Sequence, residues 1–338
     1  MVEEQNDRLQ TGPTKDEDCD RPVVIYHAGC LDGFGAAYAA WRKFGDRAEY
    51  MPAGYGKVPS LRADGRATVY LVDYSIPRKE IEQWRKMRKV VVIDHHQSAA
   101  SELEGLDDCI FDMNQSGAVL AWKYFCPGED VPQLLRHIED RDLWRFRMDQ
   151  TREICAALYA YDFDFAGFDE MVRVEPLDTL FQEGIAIRRW QEKAAIQLIK
   201  NPEVIELDKV AIGPDECLCV NAPYMLASDV CDRMIVRLYA KAQSERPLID
   251  DKVWEGFSGV SGWHGFVASW SFMDGKYVYQ LRGKGSVDVS EIAKMYGGGG
   301  HKHAAGFAVA DKIPGYPLRN YWSDVKETSG ETAAGRRE

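Results

Sequence analysis

The sequence predicts an α/β protein of two domains joined by a helical connector, and three observations carry that prediction. Between residues 22 and 150, short and uniformly apolar β-branched runs alternate with segments of helical periodicity. That alternation describes parallel strands covered by helices on both faces. From 154 to 200 the pattern is helical, with no Gly or Pro between Gly184 and Pro202. A second, smaller α/β unit starts near 204 and closes on four consecutive glycines. A length of 338 residues suits two domains.

The elements follow in order. PVVIYH (22–27) reads as a strand, and DGFGAAYAAWRKFG (32–45) as a helix closed by glycine. ATVYLVD (67–73) is the next strand. PRKEIEQWRKMRK (77–89) is a helix opening on proline, and KVVVID (89–94) is a third strand. SGAVLAWKYF (116–125) is a helix with Ser116 as N-cap, followed by a helix in VPQLLRHIEDRDLW (131–144). In the second unit, CLCVNA (217–222) reads as a strand and ASDVCDRMIVRLYAKA (227–242) as an amphipathic helix. GFVASWSF (265–272) and KYVYQLRG (276–283) form a strand pair turning at Met273-Asp274-Gly275. Residues 243–262 lack a period and read as a loop, and 1–20 and 323–338 read as disordered tails. The expected domains are therefore 21–153 and 204–322, with 154–203 between them.

Composition excludes several classes. No apolar run approaches the ~20 residues of a membrane span. The first residues are polar and acidic, unlike a signal peptide, so the expected compartment is the cytoplasm. The eight cysteines form no CxxC pair, which argues against a zinc finger or a disulfide scaffold. A net charge of −12 disfavours binding along long duplex DNA and favours small substrates held by a metal and a few cations.

The chemistry concentrates at three strand ends: His27, Asp73 and Asp94, the last followed by His95 and His96. In an open parallel sheet all strand C-termini share one edge, where ligands bind. Asp32 stands just past the first strand, and Asp140 and Asp142 lie in HIEDRDLW. Singly, each is as well explained as a cap or a surface charge. Together they form a His and carboxylate set that repels itself without a cation and suits Mn²⁺ or a similar ion.

These residues resemble the DHH phosphoesterase superfamily. The motifs are YHAGCLDGFGAA (26–37), the strand ending at Asp73, VVVIDHH (90–96) and, near the C-terminus, GGGGHKHAAGF (297–307), which is similar to the glycine-rich motif of the DHH-associated domain. The resemblance implies an N-terminal parallel-sheet catalytic domain, a smaller substrate-binding domain, and an active site in the cleft between them. It implies two divalent ions, Mn²⁺ with Co²⁺ or Mg²⁺ as options. Asp73 would bridge them; Asp32, His95 and Asp140 would complete one site and His27 would serve the other. It implies that His96 contacts the scissile phosphate and that Asp94 fixes an imidazole tautomer. Gly298, Gly299, Gly300 and His301 would hold a nucleotide, and Arg282 would clamp a phosphate. Asp142 reads as an ion pair or surface charge at least as readily as a ligand.

One departure stands out. The superfamily's first motif usually carries two Asp two residues apart; Asp32 matches the second, and Cys30 stands where the first would be. A thiolate suits zinc better than manganese. Two readings of Cys30 stay open: a metal ligand, or a small buried residue beside the site. The implied function is hydrolysis of short oligonucleotides by a metal-activated water, as in oligoribonucleases of this superfamily. Alternatives are a phosphodiesterase for cyclic dinucleotides or their linear products, an adenosine bisphosphate phosphatase, and a nucleotide-binding sensor with a degenerate metal site. Expected partners are short oligonucleotides or nucleotides, with no membrane; a homodimer is allowed.

Overall fold

The computed structural model describes residues 21–54, 57–62, 65–173, 177–208, 216–245 and 265–318. The tails expected at 1–20 and 323–338, and residues 246–262 of the expected loop, lie outside these. The chain divides into two compact units, 1–185 and 186–338.

The first unit holds a five-stranded, all-parallel sheet in the order β2-β1-β3-β4-β5. Its strands are β1 (Val23–His27), β2 (Glu49–Ala53), β3 (Val69–Val72), β4 (Val90–Asp94) and β5 (Cys109–Phe111). The three central strands are the three apolar runs of the sequence, and β4 is buried along its whole length. The two edge strands carry no such signal. β2 is EYMPA, largely exposed or half-buried, and its Pro52 is tolerated because an edge strand need not donate on both sides.

Alternation decides which side chains meet which helices. Val23 and Ile25, Val69 and Leu71, and Val90 and Val92 pack on one face with Ile76, Ile81 and Leu103, beside α2 (Arg78–Arg85). Helices α1 (Leu31–Phe44) and α4 (Gly117–Phe125) are packed against each other. α1 is alanine-rich, and Ala36, Ala37, Ala39 and Ala40 are fully buried. A Cβ on Gly35 would lie 2.9 Å from Ala118 Cβ, so the glycine permits the close approach. The remaining helices of the unit are α3 (Gln97–Glu102), α5 (Gln133–Asp142), α6 (Thr151–Leu158) and α7 (Phe165–Arg173); α8 (Asp178–Leu198) carries the boundary. Phe34 and Trp41 of α1 stack on Phe165 of α7, and Phe34 and Tyr38 meet Phe168 edge-to-face. The Tyr38 hydroxyl donates to Asp169 Oδ1 at 2.8 Å.

The second unit holds a seven-stranded mixed sheet, β10-β11-β9-β8-β7-β6-β12. Its strands are β6 (Glu203–Glu206), β7 (Glu216–Asn221), β8 (Phe266–Met273), β9 (Lys276–Gly283), β10 (Gly299–His301), β11 (Ala304–Val309) and β12 (Gly315–Pro317). Only β7 and β8 pair in parallel; the other pairs are antiparallel. Helix α9 (Ala227–Glu245) runs three residues into the expected loop and packs with Ala195 and Ile199 over Leu218, Val220 and Val267. Helix α10 (Val289–Met295) joins Cys219, Tyr279, Leu281 and Phe307 in a second apolar cluster.

Candidate metal centre

Three neighbouring parallel strands deliver the polar cluster to one sheet edge, and local chemistry fixes each side chain there. His27 ends β1. The chain then turns at Gly29, whose φ of +67° favours glycine, and enters α1 with Asp32 in its first turn. A Cβ on Gly33 would lie 2.3 Å from the His27 carbonyl oxygen, so this glycine lets the helix begin directly over the strand end. Asp73 follows β3 with φ of +49°, a left-handed conformation that Asp tolerates better than most residues, and its N–H donates to the Ile93 carbonyl. Asp94 ends β4. Its Oδ1 accepts from the His95 N–H at 2.7 Å and sits 2.7 Å from His96 Nδ1, while Oδ2 accepts from Ser75 Oγ at 2.6 Å.

Asp32 is anchored by a helix terminus. Its two oxygens accept from the backbone N–H groups of Gly117 (2.6 Å) and Ala118 (3.0 Å), the first turn of α4. These donors would otherwise lack an intrahelical partner, and the helix dipole favours a carboxylate there. A Cβ on Gly117 would lie 2.4 Å from Asp73 Cβ. Gly117 therefore makes room for Asp73 while holding Asp32, a supporting role the sequence motifs did not single out; its signal is the Ser-Gly pair opening a helix. Ser116 acts as the expected N-cap, accepting from the Val119 N–H.

The result is a convergence on His95. Its Nε2 lies 3.2 Å from Asp73 Oδ1, 3.5 Å from Asp32 Oδ2 and 3.5 Å from Asp142 Oδ2. His27 Nδ1 lies 3.9 Å from Asp73 Oδ2. Two sets of ligand-type atoms, each mutually within 4.8 Å, flank this point: His27, Cys30 and Asp73; and Asp32, His95 and Asp142.

Asp140 is placed differently from its expected role as a ligand. Both of its oxygens are drawn into the loop after α5: Oδ1 accepts from the Arg147 N–H, and Oδ2 from the Met148 N–H and Thr151 Oγ1. The structure brings Asp142 to the cluster instead. Residues two apart on a helix face different ways, so only one of the pair can point at the site.

Electrostatics show what the cluster lacks. Burial, then the charge of Asp32, pushes the Asp73 carboxyl well above its ordinary range. The same two causes push Asp142 up to about 6. Burial disfavours charge on His95, yet Asp73, Asp142 and Asp32 together raise it well above an ordinary imidazole. Burial likewise disfavours charge on Asp94, but His96 and His95 and the bond from Ser75 hold it below its usual value. Among the described residues, Asp73 Oδ1 and Asp142 Oδ2 are buried and meet no hydrogen-bond geometry. Orphaned carboxylate oxygens beside an imidazole are the donor set of a divalent cation, so the residues fit the expected metal.

The glycine-rich motif of the second unit is built around packing. Gly297, with φ of +77°, caps α10, and the Gly298 N–H donates to the Ala293 carbonyl. A Cβ on Gly298 would lie 2.1 Å from the Gly306 carbonyl oxygen. Gly299, Gly300 and His301 form the edge strand β10 against β11. Arg282 on β9 donates to Ser228 Oγ at 2.7 Å and to the Leu281 carbonyl at 2.8 Å. Among the described residues, no helix is long and apolar enough to cross a membrane.

Comparisons with known proteins follow from this geometry. No family model matches the chain. It is 28% identical over 305 residues to the uncharacterized protein R106 of Acanthamoeba polyphaga mimivirus, covering 85% of this chain and 67% of that protein. Among solved structures, RecJ from Thermus thermophilus, in complex with Mn²⁺, is 15% identical with a TM-score of 0.39, over 86% of this chain and 50% of that one. The pGpG-specific phosphodiesterase PggH from Vibrio cholerae is 12% identical with a TM-score of 0.37, over 86% and 94%. An exopolyphosphatase-related protein from Bacteroides fragilis is 13% identical with a TM-score of 0.36, over 87% and 88%.

Proposed function

We propose that the chain is a divalent-metal-dependent phosphoesterase that hydrolyses phosphodiester bonds in short oligonucleotides or nucleotides. The observation that carries this reading is the convergence of Asp32, Asp73 and Asp142 on His95 Nε2, with carboxylate oxygens buried and unsatisfied. The order of the sequence motifs, with the DHH triad ending the third apolar strand, supports the same reading.

In this proposal Asp73, Asp32, His95 and Asp142 hold one ion, and His27 and Cys30 share Asp73 with a second. Bound ions supply Lewis acidity and lower the pKa of a water, the chemistry that phosphodiester hydrolysis requires. The side chains do the rest. Asp32 is oriented by α4 before any ligand arrives, so its placement costs little entropy at binding. Asp94 fixes His96 Nδ1 as a donor and sets Nε2 at the opposite pole of the ring. That leaves Nε2 as the ring nitrogen that can meet a substrate phosphoryl group, with Asp94 holding the imidazole in position. No serine or cysteine nucleophile is invoked, so no covalent intermediate is expected. The second unit, with Arg282, Gly298, Gly299, Gly300 and His301, is assigned to nucleotide binding. The net charge of −12 favours substrates of two to about five nucleotides over long strands.

The test is release of p-nitrophenol from bis-p-nitrophenyl phosphate with Mn²⁺ and with EDTA. A panel of dinucleotides, a 24-mer, cyclic dinucleotides and adenosine bisphosphate then follows. Full turnover in EDTA would overturn the metal mechanism. Higher kcat/KM on the 24-mer than on dinucleotides would overturn the short-substrate assignment.

A further inference from the structure

We propose that His27, Cys30 and Asp73 form a thiolate-bearing metal position that selects Zn²⁺-like ions, so that the centre is chemically asymmetric: one soft position and one hard one. The inference rests on the reading of the cluster as a metal centre, and it assigns the identity of the ion at one end of it.

The placement comes from three separate segments. His27 closes β1, Cys30 precedes α1, and Asp73 follows β3. Their ligand atoms lie mutually within 4.8 Å, and His27 Nδ1 is 3.9 Å from Asp73 Oδ2. Tetrahedral zinc binds sulfur at about 2.3 Å and nitrogen or oxygen at about 2.0–2.2 Å, which puts its ligands roughly 3.5 Å apart. Asp73 is 2% exposed; its Oδ1 faces His95 Nε2 at 3.2 Å and its Oδ2 faces His27 Nδ1 at 3.9 Å. The thiol therefore joins a set whose buried carboxylate turns one oxygen toward each end of the cluster.

The backbone enforces this short spacing. Gly29 turns the chain between His27 and Cys30, and Gly33 lets α1 start against the His27 carbonyl. A side chain at residue 33 would force the helix start, and Cys30 with it, away from His27. Asp32 serves the other end of the cluster, held by the N-terminus of α4 with its Oδ2 3.5 Å from His95 Nε2.

Ligand chemistry then decides the ion. A set of one nitrogen, one sulfur and one oxygen donor suits zinc, whereas carboxylates with one imidazole suit Mn²⁺ or Mg²⁺. Binding replaces the S–H bond by a metal–sulfur bond and releases one proton to solvent.

Co²⁺ is the probe, because thiolate ligation gives a near-ultraviolet charge-transfer band that nitrogen and oxygen ligands do not. The full chain is stripped with chelator and titrated with Co²⁺. The expected result is a charge-transfer band in the wild type that Zn²⁺ displaces at far lower concentration than Mn²⁺. Cys30→Ser should lose the band, keep the visible cobalt transitions, and bind Zn²⁺ about 100-fold more weakly. Cys30→Asp should also lose the band and reverse the preference toward Mn²⁺. A wild type that binds Co²⁺ without the band, or a band that survives in Cys30→Ser, overturns the proposal. If Asp73→Asn then abolishes Co²⁺ binding, the metal centre itself stands. Absence of any Co²⁺, Zn²⁺ or Mn²⁺ binding overturns both readings. If Cys30→Ser fails to fold, the wild-type band and the Zn²⁺ against Mn²⁺ competition decide alone.

Discussion

The two sheets of this protein bury different things. Among the described residues, every buried carboxylate and imidazole belongs to the first unit: Asp32, Asp73, Asp94, His95, His96, His137, Asp140 and Asp169. Among the described residues, the polar side chains buried in the second unit are Gln191, Ser269 and Ser290, and its glycines make close backbone contacts. A parallel sheet gathers all its strand ends at one edge, so it can concentrate charge there. A mostly antiparallel sheet distributes its strand ends and is stabilised by its faces.

The sharpest way to break that contrast is Asp73→Asn. Removing the carboxylate proposed to serve both ions should lower kcat/KM by ~10³-fold or more and reduce bound metal, while circular dichroism stays native. Near-normal turnover would show that the buried charge serves folding alone.

Glycine substitutions test the two regions in parallel. Gly117→Ala presses a methyl onto Asp73 and should weaken metal binding together with stability. Gly298→Ala presses onto the β11 backbone and should cost about 1–3 kcal/mol in urea denaturation with metal affinity unchanged. Equal loss of metal binding in both variants would erase the distinction.

Asp140 and Asp142 test the proposed division between a structural and a ligand carboxylate within one helix. Asp140→Ala leaves the Arg147 and Met148 N–H groups without their acceptor and should destabilise by about 2–3 kcal/mol while metal still binds. Asp142→Ala should leave the metal-free protein no less stable and weaken metal binding by at least the roughly 10–100-fold that even an outer-sphere partner is worth. The reverse pattern would return Asp140 to the ligand set.

The smallest effect is in pH. Asp142 is pushed up to about 6 in the folded state, from an ordinary value near 3.8. The folded protein therefore binds more protons than the unfolded chain across that interval. Metal-free protein should lose on the order of 1–2 kcal/mol as pH rises from about 4 through about 6, and stay lower above it. Asp142→Asn should flatten that slope, and added Mn²⁺ should reverse it. A metal-free melting temperature that climbs over the same interval would contradict the assignment.

Much of this was legible in the sequence because burial on both faces writes a strand as an unbroken apolar run. That is true of β1, β3 and β4, and their terminal His and Asp residues identify the edge where they meet. The edge strands β2 and β5 were not legible: half-exposed and interrupted by Pro52 or only three residues long, they carry neither a run nor a clean alternation. The choice between Asp140 and Asp142 was equally hidden. Two aspartates two residues apart look alike in sequence, and only the return of the 147–151 loop onto Asp140 decides between them. In the second unit the glycine run was legible as a special backbone segment, but its packing against β11 depends on a partner strand that sequence spacing does not reveal.

The parallel order of β1, β3 and β4 also has a kinetic consequence. Each pairing must wait for the intervening crossover to close, so the strand ends meet only after long-range contacts have formed. A partly folded chain can offer a cation His95 and His96 from one segment, but not the carboxylates of Asp32, Asp73 and Asp142 with them. Metal added during refolding should therefore leave the folding rate nearly unchanged and slow unfolding instead, making the ion a latch on the finished sheet rather than a seed for it.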